Sequence, residues 1–129
     1  MILLALALAQ TAVPAAPVTR AEHATVIGEQ LKTWRASWRT RAGKTTCVTT
    51  RSSGDIAIDA VGCASLTACA DQHTPRVIAL ARDKAITAAA RKSASQALNA
   101  EFAKCMTARR DTLIADLAEK RAAAGPSGS

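Results

Sequence analysis

Four cysteines, Cys47, Cys63, Cys69 and Cys105, are the most reactive side chains in this 129-residue sequence. Their spacing excludes several chemistries. A redox-active pair needs C-x-x-C and haem attachment needs C-x-x-C-H, and neither occurs. Cys63, Cys69, His73 and Cys105 could supply three sulfurs and a nitrogen to zinc, but C-x5-C-x3-H is not a spacing such sites use. An even cysteine count in a small exported chain reads instead as disulfides. Four cysteines allow three pairings. The expected one is Cys47–Cys63 with Cys69–Cys105. The first bond would tie a strand to the element after an SSGD turn. The second would tie the Cys69 segment to the last helix, and by closing so long a loop it would contribute roughly 3–4 kcal/mol.

Other reactive groups are poorly placed for catalysis. His23 and His73 have no Ser, Cys or Asp at a spacing that signals a catalytic set. Asp55 and Asp59 would share a helical face, and paired carboxylates can act as acid and base. Acidic residues at a helix N-terminus are, however, expected from the helix dipole alone. Ser52 and Ser53 lack the G-x-S-x-G frame, and there is no phosphate loop or dinucleotide fingerprint. The sequence thus predicts no catalysis, no metal and no cofactor.

The charges point to binding. Lys and Arg number 17 against 10 Asp and Glu, a net charge of +7. Arg35, Arg39, Arg41, Lys44 and Arg51 are dense, and Arg109 and Arg110 form a second small cluster. A positive surface attracts anions at long range. In a cell envelope these are lipid phosphates, lipopolysaccharide and acidic polymers. Nucleic acid is not expected, because base stacking needs exposed aromatics and Trp34 and Trp38 fall on an apolar stripe. Those tryptophans read as core anchors. The alternative is a partner-binding patch left open by alanine neighbours too small to cover two indoles. Trp34, Trp38, Arg35, Arg39 and Arg41 are therefore the candidate contact residues.

These groups need a scaffold, and its organisation can be read along the chain. Residues 1–17 read as a secretory signal peptide with a Pro/Ala spacer: a short apolar run, then small residues suited to cleavage. Residues 18–121 read as one helical domain, and 122–129 (AAAGPSGS) as a disordered tail. From Val18 onward there are only 21 large apolar residues, against 31 alanines in the whole chain. Burial scales with apolar area, so such a core is thin and the disulfides should carry much of the stability.

The first helix starts at a T-x-x-E capping box, Thr19 and Glu22. Its stripe runs through Ala24, Ile27, Leu31, Trp34 and Trp38, with Gly43 as its stop. Thr45 to Arg51 favours a strand, and Ser52 to Asp55 a turn. Ile56, Ile58 and Val61 then suit either the second strand of a hairpin or a helix starting near Ser53 or Asp55. Lone hairpins are marginal, which favours strand then helix. Thr74-Pro75 reads as the N-cap and first residue of a helix, with a bend or short loop near Ser93 to Ser95. Helical spacing then resumes through Leu98, Phe102, Cys105, Met106, Leu113 and Leu117. The expected fold is mainly α: a disulfide-bonded bundle of three to four helices, with at most one short strand or hairpin near 45–61.

The 17 residues CVTTRSSGDIAIDAVGC, Cys47 to Cys63, resemble the strand–SSG turn–helix opening of the C-terminal domain of TonB-type energy transducers. Some of those carry a cysteine at each end of the segment. The resemblance implies strand then helix and a structural Cys47–Cys63 bond. The basic-aromatic segment, the paired strands that follow and the long Pro-rich spacer of that family are missing, so energy transduction is not implied.

The resulting expectation is a small exported, disulfide-bonded, non-catalytic accessory or binding protein of the cell envelope, periplasmic or secreted. Its partner would be an unknown envelope protein or an anionic envelope surface. Once cleaved it would not be an integral membrane protein. The competing class is a small periplasmic enzyme or redox protein.

Overall fold

The structure, a computed structural model, describes residues 16–125. The order is α1 (Arg20–Leu31), β1 (Arg35–Arg41), β2 (Lys44–Arg51), α2 (Ile56–Arg82) and α3 (Ala88–Ala124). The expected class, a small helical bundle with one hairpin and two disulfides, is present, although several boundaries differ from the sequence reading. The proposed signal peptide lies almost wholly outside the described residues. Among the described residues no helix is long and apolar enough to cross a membrane.

The capping box forms as the sequence predicts. Glu22 N–H donates to Thr19 Oγ1, and Thr19 N–H donates to Glu22 Oε2, both at 3.1 Å. The helix does not continue to Gly43. It closes at Leu31 through tight i→i−3 bonds from Lys32, Thr33 and Trp34 N–H, and the Thr33 hydroxyl caps the Gln30 carbonyl. The chain then enters β1, which pairs antiparallel with β2 from Arg41↔Lys44 back to Arg35↔Arg51, with an irregularity between Arg35 and Ala36. Ala42 and Gly43 form the two-residue turn, with φ of 50° and 75°. Positive φ at both positions matches the right-handed twist of a hairpin. Gly43 is thus needed for the left-handed backbone the sequence suggests, but in a strand turn and not at a helix end.

The hairpin therefore lies at 35–51, earlier than the 45–61 window. The 56–61 segment is the start of α2, which resolves the two sequence readings in favour of strand then helix. Asp55 caps α2 by accepting from Ala57 and Ile58 N–H. Thr74-Pro75 does not begin a helix, because Pro75 lies inside the 27-residue α2. The break comes instead at 83–87. There Asp83 accepts from Ala85 N–H, and Thr87 caps α3 by accepting from Ala90 N–H. No bend interrupts Ser93 to Ser95. Helix α3 runs 37 residues to Ala124, so the first three residues of the expected tail are helical, and 126–129 lie outside the described residues.

The core gathers at one end. Ile27 and Leu31 of α1, Trp34, Ile58, Val61 and Leu66 of α2, and Ala118 of α3 are buried together. Phe102, Met106, Leu113, Ile114 and Leu117 pack against them. The Trp34 indole lies flat on α2 at Gly62, where a β-carbon would sit 2.7 Å from the ring. Its Nε1 donates to Thr49 Oγ1 at 3.0 Å, which ties the α1–β1 joint to β2. Disulfides complete the frame: Cys47–Cys63 pins β2 to α2, and Cys69–Cys105 pins α2 to α3. Both expected pairings are present, with no free cysteine among the described residues.

Candidate functional site

Side chains alternate across a strand, so the hairpin has two unlike faces. Ala36, Thr40, Thr45, Cys47 and Thr49 are half-buried and turn toward α2. Besides the disulfide, this inner face is held by Thr40 Oγ1 to Thr74 Oγ1 at 3.2 Å and by Thr45 N–H donating to Asp71 Oδ1 at 2.7 Å. The outer face carries Ser37, Arg39, Arg41, Lys44, Thr46 and Val48, all exposed. With Trp38 they line an open depression of about 550 Å³.

The charge on this element is one-sided. Residues 35–51 hold Arg35, Arg39, Arg41, Lys44 and Arg51 and no Asp or Glu. Five of the seven net positive charges thus sit on 17 residues, while the rest of the chain carries twelve basic against ten acidic side chains. The ion pairs among the described residues are Lys32–Glu29, Arg76–Glu101 and Arg121–Asp55. None involves the hairpin.

The structure separates the five candidate contact residues. Arg39 and Arg41 are free on the outer face. Arg35 is not: its Nη1 donates to the carbonyls of Lys32 and Trp34, both at 2.8 Å, and so closes the end of α1. Trp34 is a core anchor at 6% exposure, whereas Trp38 is 43% exposed. The two indoles do not form one stripe, because one precedes the strand and the other lies within it. Trp38 stacks on Phe102 with ring centres 6.2 Å apart, and Phe102 meets His73 at 4.7 Å. This aromatic seam joins residues far apart in sequence, and no local pattern announces it. The Arg109–Arg110 cluster is also divided, since the Arg110 guanidinium lies 6.0 Å from the Trp34 ring centre, a cation–π arrangement.

The remaining chemical candidates are occupied by structural work. All four cysteines are in disulfides, so the sulfur–histidine zinc set is not available. Among the described residues no group of three or more His, Cys, Asp or Glu is placed to hold a metal. Asp55 and Asp59 do not act as a pair. Burial pushes the Asp55 carboxyl up, but the Arg121 hydrogen bond and charge, with the Ile58 and Ala57 N–H groups, together hold it below the ordinary value. Asp59 accepts from the Ser52 and Ser53 hydroxyls and from Ser53 N–H, and these bonds lower its pKa. It ties the SSGD turn to α2. A hollow of about 270 Å³ beside Cys69–Cys105 is lined by Gln72, His73, Arg76, Glu101 and Phe102, but Arg76 and Glu101 already pair with each other across it.

Sequence reasoning missed Val48 and the separation of Lys44 from the covered face. The signal was present as the period-two alternation Lys44, Thr46, Val48. With this geometry in view, comparison adds no relative: the chain matches no family model, no curated protein and no solved structure.

Proposed function

We propose that this chain is a small exported binding protein of an oxidising compartment, periplasmic or secreted, that acts without catalysis. It holds an anionic partner of the cell envelope on the outer face of the β1–β2 hairpin. Two disulfides, with no free thiol among the described residues, suit an exported protein. The observation that carries the binding reading is the segregation of charge: the hairpin has five cations and no acid, while Asp55, Asp59 and Asp71 nearby are committed to a cap, a turn and the Thr45 N–H of β2. Unpaired arginines on a rigid sheet are ready donors to phosphate, sulfate or carboxylate oxygens.

The test is titration of the oxidised protein with dextran sulfate, a soluble polyanion, followed by calorimetry. Replacing Arg39 and Arg41 with Ser should weaken binding several-fold and flatten its salt dependence. Unchanged affinity in this double variant would remove the hairpin from the function. Arg35→Ser is the wrong probe, because it also frees two carbonyls at the end of α1.

A further inference from the structure

The exposed face of the hairpin is more than a set of charges. Trp38 and Val48, at 43% and 57% exposure, are two of the large apolar side chains left open to solvent. Both border the depression that Arg39, Arg41 and Lys44 line. Val48 stands among the cations on the outer face, whereas Trp38 is in register with Cys47 and meets the depression from the covered side, stacked on Phe102. Cations beside an exposed valine suit a bilayer interface: basic side chains meet headgroup phosphates, and the apolar side chain enters the headgroup boundary. We infer that the outer face of the hairpin docks flat on an anionic phospholipid bilayer, its cations on the headgroup phosphates and Val48 at the headgroup boundary.

The inference rests on the anionic-partner reading above and narrows it. Three further observations favour a lipid surface over a small soluble anion. The cations stand along an extended two-stranded surface and do not converge on one point, as a small-anion pocket requires. The carboxylate nearest the hairpin, Asp71, lies on the covered side, where it accepts from Thr45 N–H. The rest of the chain is nearly neutral, with twelve basic and ten acidic residues, so an anionic plane would orient the molecule hairpin first. No described helix crosses a membrane, so docking would be peripheral and sensitive to salt.

The experiment is co-sedimentation of the full disulfide-bonded chain with vesicles of phosphatidylglycerol in phosphatidylcholine, against vesicles of phosphatidylcholine alone. Dextran sulfate binding is measured in parallel. Replacing Arg39, Arg41 and Lys44 with Ser should lower vesicle binding by at least about tenfold, since each cation near an anionic surface contributes several-fold. A charge-matched control replaces Arg82, Lys84 and Lys92, all exposed and far from the hairpin in sequence. It should stay within about twofold of the parent. The N-terminal segment is common to all variants, so the difference belongs to the hairpin. In a variant carrying both Trp38→Phe and Val48→Trp, acrylamide quenching of the outer-face indole should fall on vesicle binding. Equal loss in both triple variants overturns the inference, as does an outer-face indole that stays fully quenchable on vesicles. Binding of dextran sulfate without vesicles overturns the lipid inference and leaves the anionic reading standing. Binding of neither removes both. Retained circular dichroism and the absence of free thiols certify that each variant is folded.

Discussion

Near the hairpin, α2 is held by the strands, by Cys47–Cys63 and by α3; from Pro75 to Ala100, every side-chain hydrogen bond among the described residues stays within the α2–α3 pair. The first region, the body, holds α1, the hairpin, the Ser52–Asp55 turn and nearly every buried side chain. The second, an arm made of the end of α2, the 83–87 turn and the start of α3, buries Leu98 alone among the described residues. Val77 and Ile78 are exposed on it, and an open hollow of about 400 Å³ between its helices is lined by Ala79, Leu80, Ala94, Ala97 and Leu98 with Arg76 and Glu101. Polar fasteners replace packing there. Arg91 donates to the carbonyls of Leu80 and Asp83 at the end of α2, and Arg76 pairs with Glu101. Alanine is the best helix former but removes little apolar area from water. The same residue that makes the arm helical leaves it weakly held.

Truncating the body should therefore do far more than truncating the arm. Trp34→Ala should cost about 3–5 kcal/mol in urea unfolding, while Ile78→Ala should stay within roughly 0.5 kcal/mol. Equal effects would dissolve the distinction between the two regions. The bond at the base of the arm comes next. Replacing Cys69 and Cys105 with Ser should cost roughly 3 kcal/mol. Hydrogen exchange should then quicken first at amides 76–100, with β2 still protected through Cys47–Cys63. Simultaneous loss of protection in β2 would show that the arm and body unfold as one unit.

Gly62→Ala should destabilise by about 1–3 kcal/mol, because the added methyl meets the Trp34 ring and the rigid indole must shift. An unchanged melting temperature would mean that the indole does not lie on α2. Acid should loosen the body in particular. Asp55 and Asp59 both have pKa values lowered below 3.8 by folding. Their contribution is complete above that ordinary value and is lost as pH falls through the lowered ones. The melting temperature should drop in strong acid, and Asp55→Asn should reduce the slope. One change should be a gain. Ala42 has a φ of 50°, which alanine tolerates poorly and asparagine accepts, so Ala42→Asn should add about 0.5–1 kcal/mol.

The arm and the body also differ in how openly the sequence announces them. The Thr19–Glu22 box and the β2 strand were legible because each rests on a local rule, whereas the cysteine count announced disulfides but permitted three pairings. The first helix was overrun because a spacing of four is one helical turn but also two strand steps. Trp34 and Trp38 satisfy both periods, and only the Ala36–Thr40 alternation between and beyond them favours the strand. Pro75 misled for a related reason. Its chemistry suits a helix start, but tertiary support can carry a helix past the one hydrogen bond it removes. The true break at Asp83 and Thr87 is marked by two ordinary capping residues inside an alanine-rich run, a weaker signal than proline. In the candidate site, the basic cluster was visible from residue types. Its gathering on one sheet face was not, because that depended on assigning 35–41 to a strand.

Cys105 stands one residue from the midpoint of α3, which runs from Ala88 to Ala124. The bond to Cys69 is therefore placed like a fulcrum under a beam roughly 55 Å long. A tilt of about 10° around it would carry either end of the beam by about 5 Å. Whatever leans on the tip of the arm is thereby levered against the packing of α3 on α1 in the core, with no flexible joint in α3 to absorb the motion.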